Sequence, residues 1–223
     1  MIASILVLTS VFETHIYKVS SLFMGFIIFS IPIIIFEEKD VLKGKYLNII
    51  FTIIGILLVF LISYYNTSQV NQINLNNFGV STGIYIFLVG AIAISAMILP
   101  GISGSTLLLI FGLYLPIING VKKLLDFDFS SFIGLFIFGL GVLTGIFTII
   151  KLLRKALNRF RTQTVYTIIG LMIGSIYSII MGPTTLEVPI DPINLNNFNI
   201  LFFLVGGLIV WGLQKLKNIN LKK

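Results

Sequence analysis

The sequence predicts an all-α, polytopic integral membrane protein. It is 57% hydrophobic and only 10% charged, whereas soluble domains carry about 25% charged residues. Apolar runs of about 20 residues, the length that crosses a bilayer as a helix, recur along the chain. The positive residues cluster in short segments between these runs, which is typical of membrane orientation. The net charge of +7 is therefore assigned to topology, and we expect no nucleic-acid partner.

Seven apolar runs are predicted as membrane helices. The first stretch of the chain, residues 1–12, is apolar but too short to span, and we interpret it as the second half of a helix. The run at 131–153 is rich in glycine, which favours close helix packing. The predicted spans are 19–36, 46–65, 80–99, 107–121, 131–153, 163–181 and 199–213.

The loop charges predict the orientation of these spans. Lys and Arg occur in residues 37–45, in residues 151–162 and in the C-terminal tail, whereas residues 66–79 and 182–198 contain neither. The positive-inside rule places the first three segments in the cytoplasm and the other two outside. We therefore expect a multi-pass protein of the cell membrane with a cytoplasmic C-terminus. Residues 80–121 must then enter the membrane and return, either as two spans or as a re-entrant hairpin.

One segment within that stretch, residues 100–106 (Pro-Gly-Ile-Ser-Gly-Ser-Thr), is predicted to break the helix. Pro100 lacks a backbone N–H and disfavours helical geometry in the residue before it. Gly101 and Gly104 permit positive φ and close backbone approach. A broken helix at membrane depth requires surrounding protein or a water-filled cavity.

The hydroxyls of this segment suggest an anion site. Ser103, Ser105 and Thr106 can cap the apolar helix that follows. The free N–H groups and the dipole at a helix start attract an anion such as phosphate. The alternative interpretation is a Pro-Gly kink, with small residues serving helix packing. Lys122 and Lys123 follow the hairpin and either attract headgroups or anchor the chain at the membrane surface.

An internal repeat is also present. Residues 25–31 (GFIIFSI) resemble residues 170–176 (GLMIGSI), an offset of 145 positions. The loops flanking the two copies are predicted on opposite sides of the membrane, which indicates inverted-topology repeats. We divide the single transmembrane domain, 1–223, into the remainder of a first repeat, 1–79, and a second repeat, 80–223. At this offset, the counterpart of residues 100–106 is expected upstream of Met1.

Residues 96–106 (AMILPGISGST), followed by Phe-Gly-Leu-Tyr at 111–114, resemble the second signature of the polyprenyl-phosphate transporter family, also catalogued as domain of unknown function 368. Residues 170–177 resemble a later family segment. Members are bacterial inner-membrane proteins implicated in returning undecaprenyl phosphate to the cytoplasmic leaflet, and they carry two PG-x-SG motifs, of which this sequence has one. The resemblance implies flipping of that lipid. It also implies that half of the headgroup site is formed by Pro100, Gly101, Ser103, Gly104, Ser105 and Thr106.

Two other functions stay open at this level. A membrane lipid-phosphate phosphatase would need an acid or base and a cationic clamp at the phosphate. No Asp, Glu, His, Lys or Arg lies within a predicted span near residues 100–106, which favours moving the lipid over cleaving it, so we assign no catalytic residue. The second alternative is an inactive truncated fragment that folds only with another copy, as a homo-oligomer, or with its missing half. With no cysteine and one histidine, we expect no metal and no other cofactor.

Overall fold

The computed structural model describes residues 15–64, 75, 79–99, 104–185 and 190–220, and all regular structure in these ranges is helical. We number the α-helices in chain order. Short 3₁₀ turns, Tyr46–Asn48, Phe129–Ser131 and Gly182–Thr185, precede or follow three of them. The helices are α1 (Ile16–Glu37), α2 (Lys39–Leu42), α3 (Ile49–Tyr64), α4 (Val80–Ile98), α5 (Gly104–Ile110), α6 (Tyr114–Leu125), α7 (Phe132–Arg159), α8 (Arg161–Met181) and α9 (Ile200–Asn220).

Six helical segments in the described residues are long and apolar enough to cross a membrane, which confirms the predicted all-α, multi-span architecture. The expectation for residues 107–121 is corrected, because that run is divided between the short helices α5 and α6. The short apolar stretch at 1–12 lies outside the described residues. The spanning segments are Ile16–Glu37, Tyr46–Tyr64, Val80–Ile98, Phe129–Arg159, Arg161–Thr184 and Ile200–Lys217.

The long helices associate as three pairs: α1 with α9, α3 with α8, and α4 with α7. The pair of α3 and α8 shows the common geometry. Near the start of both helices, the Thr52 hydroxyl donates to the carbonyl of Tyr166 at 2.9 Å. Near their ends, the hydroxyls of Ser63 and Ser178 lie 2.5 Å apart. Contacts that advance in the same direction along both helices make this pair parallel.

Glycines let the backbones of α4 and α7 touch. A Cβ atom added to Gly141 would lie 2.2 Å from the carbonyl oxygen of Phe87, and one added to Gly90 would lie 2.8 Å from that of Phe138. Both distances are shorter than a real Cβ contact. Without side chains at these two positions, the helices approach closely and gain dispersion contacts along the crossing.

The other two pairs cross in a matched way. A Cβ on Gly25 of α1 would lie 2.2 Å from the carbonyl oxygen of Phe203 on α9. A Cβ on Gly170 of α8 would lie 2.2 Å from the carbonyl oxygen of Thr52 on α3. Gly25 and Gly170 are the two glycines that begin the sequence repeat, so equivalent positions make equivalent contacts in the fold.

In each pair, the partner helix also contributes a glycine to the crossing, three residues after the contacted carbonyl: Gly206 follows Phe203, and Gly55 follows Thr52. A Cβ on Gly206 would lie 2.3 Å from the carbonyl oxygen of Leu22, and one on Gly55 would lie 2.6 Å from that of Thr167. Helices α1 and α8 thus exchange partners, because each packs on the next long helix after the other: α1 packs on α9, and α8 packs on α3. This arrangement supports the inverted repeat, while the division of the chain at residue 79 stays a prediction.

Ion pairs gather three segments at one end of the bundle, which we call the charged end (residues 37–45, 159–162 and 214–217). Arg161 donates from both Nε and Nη2 to the Glu38 carboxylate, at 3.0 and 2.8 Å. The Nζ atom of Lys217 lies 2.7 Å from Oε1 of Glu37. The loop charges predict that these segments share one side of the membrane, and their position in the fold agrees. Their assignment to the cytoplasm stays a prediction.

Candidate functional site

The predicted helix break begins where α4 ends. The last helical residue is Ile98, and Leu99 is extended, with φ −80° and ψ 133°, as expected before a proline. Pro100, Gly101 and Ser103 lie outside the described residues. The next described residue is Gly104, the first of α5.

Helix α5 folds back along α4. Gly104 is buried, and a Cβ added there would lie 3.3 Å from the Ala93 carbonyl oxygen and 3.3 Å from Cβ of Met97. At the far end of α5, the Tyr85 hydroxyl donates to the carbonyl of Phe111 at 3.0 Å. The start of α5 therefore faces the end of α4, and the two helices are antiparallel. Positive φ is found at other glycines, Gly44 and Gly112, so what Gly104 provides is close packing rather than a left-handed turn.

The first turn of α5 presents backbone N–H groups that have no acceptor within the helix itself. Ser105 and Thr106 follow Gly104 in the helical backbone, and the first N–H groups of an α-helix have no partner within the helix. One turn later, buried Leu107 packs in a single cluster with Val59 of α3 and Leu171 of α8. The start of α5 thus lies where helices from both halves of the chain meet.

A glycine turn limits the length of α5. Gly112 has φ +68°, and its N–H donates to the Leu109 carbonyl at 3.0 Å while the N–H of Leu113 donates to that of Leu108 at 2.8 Å. This pair of hydrogen bonds forms a Schellman C-cap. Helices of 7 and 12 residues reach about 10 and 18 Å, short of the ~30 Å core. The chain therefore returns through two short helices rather than one span.

The end of α4 lies toward the charged end of the bundle. Phe87 contacts Gly141 and Ala91 contacts Gly145 on α7, so α4 and α7 run parallel with a constant offset. Continued to the end of α4, this offset brings Leu99 level with the first basic residues of α7.

The donors available at this site are neutral. The sequence contains no Asp, Glu, His, Lys or Arg between residues 79 and 121. The spans packed on α5 contribute apolar side chains to its cluster. An anion bound at the start of α5 would be held by N–H groups and hydroxyls alone. In the described part of the chain, no group of three His, Cys, Asp or Glu residues lies together where it could hold a metal ion.

Sequence reasoning missed Tyr85. Its ring also meets that of Phe111 edge-on, with centroids 6.4 Å apart, so it fixes the end of α5 by both packing and hydrogen bonding. The signal was present in the sequence, because a hydroxyl inside an apolar span requires an acceptor. The partner could not be foreseen, since it lies 26 residues away.

Comparison with known proteins places this chain in a family. Residues 1–197 match the model of a family described as undecaprenyl phosphate translocase-like. A protein of Vibrio cholerae named polyprenyl-phosphate transporter is 42% identical over 96 residues, covering 43% of this chain and 29% of that protein. A Staphylococcus aureus protein of the same name is 30% identical over 133 residues, covering 60% of this chain and 47% of that protein. The matched parts span less than half the length of either relative. No solved structure gives a significant match.

Proposed function

The chain belongs to the undecaprenyl phosphate translocase-like family, and from that membership we propose that it binds a polyprenyl phosphate and moves this lipid across the cell membrane. The phosphate headgroup is held at residues 100–106, and the isoprenoid chain stays among the apolar helix faces. The charged end faces the cytoplasm, together with the C-terminus. The two relatives bear the name of a transporter, which favours translocation over hydrolysis.

The observation that carries this proposal is the buried start of α5. Gly104 begins that helix against Ala93 and Met97, so its first N–H groups open beside the end of α4. Free N–H groups and the helix dipole stabilise a phosphate there. Because these donors carry no full charge, the phosphate is not held by an ion pair and can be released.

The surrounding helices suit a site that has to open to both leaflets. Leu107 of α5 packs against α3 and α8, which belong to different halves of the predicted repeat. Transporters built from inverted repeats bind substrate where the repeats meet, at broken helices. Movement of one half against the other would expose the start of α5 first to one leaflet and then to the other.

The proposal is tested by lipid binding to the purified protein in nanodiscs. Binding of a polyprenyl phosphate is compared with that of the uncharged polyprenol of equal chain length, and the bound lipid is recovered to check that it is intact. The variant Ser103→Ala/Ser105→Ala/Thr106→Ala removes all three hydroxyls. Since a hydrogen bond to a charged group contributes about 1.5–3 kcal/mol, we expect its affinity for the phosphate to fall at least about tenfold.

A matched control is provided by Gly139→Ala on α7, where an added Cβ meets nothing within 4 Å. This variant should bind like the wild type. If the triple variant also binds like the wild type, the three hydroxyls do not hold the headgroup. If polyprenol binds as tightly as its phosphate, the headgroup is not held at residues 100–106 at all. Recovery of free polyprenol and phosphate would instead support the phosphatase alternative.

A further inference from the structure

Helix α7 is longer than the membrane is thick. Its 28 residues, Phe132–Arg159, reach about 42 Å, against a hydrocarbon core of about 30 Å. No charged residue occurs from 132 to 150, and four basic residues then follow within nine positions. The last turns of α7 therefore rise about 12 Å beyond the apolar part, which is the depth of the lipid headgroups.

The basic residues share one side of the helix. Their spacing of i, i+3, i+4 and i+8 covers an arc of about 140° at 100° per residue, and all four side chains are exposed. The opposite side carries Leu153, Ala156 and Leu157, which are half-buried. We call the exposed side the basic face of α7; it consists of Lys151, Arg154, Lys155 and Arg159.

The charges of this face are not neutralised by the described parts of the protein. Two of the three carboxylates of the charged end are already engaged, Glu38 by Arg161 and Glu37 by Lys217, and the third, Asp40, forms no ion pair with the basic face. Within residues 15–64, 79–99, 104–185 and 190–220, none of the four basic side chains forms an ion pair. The guanidinium of Arg159 lies 5.7 Å from the ring centroid of Phe160, a contact that leaves its charge in place.

We propose that the basic face of α7 binds anionic phospholipid headgroups of the surrounding leaflet. The charges are complementary, the helix holds them at headgroup depth, and none of the described carboxylates forms an ion pair with them. Basic clusters directly adjoining a membrane span attract anionic lipids, each residue contributing about a fivefold preference. The face lies at the same end of the bundle as the end of α4, so anionic lipids would gather near Leu99. This proposal does not depend on transport.

The test measures lipid selectivity of the reconstituted protein with spin-labelled phosphatidylglycerol and phosphatidylcholine. The variant Lys155→Gln/Arg159→Gln removes two charges and keeps two, so that the orientation signal of the segment survives. We expect its preference for phosphatidylglycerol to fall at least about fivefold. The substitution Arg154→Lys/Arg159→Lys should retain the preference, because charge rather than shape carries it.

The matched control is Lys122→Gln/Lys123→Gln at the end of α6. There the negative charges of Asp126 and Asp128, which follow closely in the chain, offset those of the two lysines. The preference of this variant should stay within about twofold of the wild type. The wild-type preference for phosphatidylglycerol should also be lost in 0.5 M salt, where charges are screened beyond about 4 Å. This measurement uses the wild-type protein alone, so it does not depend on whether a variant folds. An unchanged preference in the Lys155/Arg159 variant, or a wild-type preference that resists salt, would overturn the proposal.

Discussion

Replacing Gly141 by alanine should separate α7 from α4, the helix that ends beside the proposed site. The new Cβ would lie 2.2 Å from the carbonyl oxygen of Phe87, whereas real Cβ atoms essentially never come closer than 3.0 Å. The obstacle is backbone rather than a flexible side chain, so α4 and α7 have to move apart by about 1 Å locally. Dispersion energy falls steeply over such a gap, and the neighbouring contact of Gly145 with Ala91 opens with it.

The expected cost is about 1–3 kcal/mol, the range for overpacking a close contact. Gly139→Ala is the ideal comparison, because it makes the same change two residues away on the same helix and meets nothing within 4 Å. There alanine should be neutral or should stabilise the helix by up to about 1 kcal/mol. The two variants are therefore expected to differ by about 1–4 kcal/mol in the free energy of unfolding.

The assay is reversible unfolding of the protein in mixed micelles, followed by far-UV circular dichroism, with both variants measured beside the wild type. Polyprenyl phosphate binding is measured on the same samples. If Gly141→Ala proves as stable as Gly139→Ala, the close crossing of α4 and α7 is wrong. If it is destabilised but binds lipid normally, the crossing holds the fold without positioning residues 100–106.

Three further predictions use the same unfolding assay. Gly25→Ala and Gly170→Ala should each destabilise the protein, within about 1 kcal/mol of one another, because their contacts are equivalent; one neutral variant would contradict the matched crossings. Tyr85→Phe should cost about 1 kcal/mol and speed amide exchange at the end of α5, and unchanged exchange would show that the hydroxyl does not hold that end. Glu38→Gln should cost at most about 1 kcal/mol, because its pair with Arg161 is partly exposed, and a loss that persists in high salt would rule out an ion-pair origin.

The positions of the long helices could be predicted from the sequence because the hydropathy of a segment indicates whether it lies within the membrane. The expected single helix at 107–121 was wrong for a definite physical reason. Gly112 lies within an apolar run that contains no charge, so composition does not distinguish one span from two short helices. Its positive φ and the hydrogen bonds at the end of α5 belong to local geometry that hydropathy does not record.

Helix pairing could be predicted only in part. The repeat marked Gly25 and Gly170 as equivalent, and the fold gives both a backbone contact. The partners, Phe203 and Thr52, were not foreseeable, because any apolar helix of the chain could have supplied that surface. Pairing depends on which glycines meet across two helices, and a single sequence does not contain that information.

The candidate site, like the helix pairing, could be predicted only in part. The sequence predicted a helix interruption at residues 100–106 followed by an apolar run from 107, since proline and glycine act on their immediate neighbours. In the structure the following helix begins at Gly104, and the binding role of residues 100–106 stays a prediction. The sequence did not reveal that α5 folds back on α4. It also treated the basic residues of 151–162 as an orientation signal alone, whereas the length of α7 places four of them at headgroup depth.

The central claim, that residues 100–106 hold a phosphate headgroup which the protein moves across the membrane, is tested most directly by lipid translocation in proteoliposomes. The fraction of polyprenyl phosphate accessible to a phosphatase added outside is followed over time, with wild-type protein, with Gly104→Val and with Gly139→Val. Valine at position 104 would press a branched side chain against Ala93 and Met97. We predict that the lipid pool protected inside becomes accessible with the wild type and with Gly139→Val, but remains protected with Gly104→Val. Equal rates with Gly104→Val and the wild type, or a wild-type rate no faster than in protein-free vesicles, would contradict the claim.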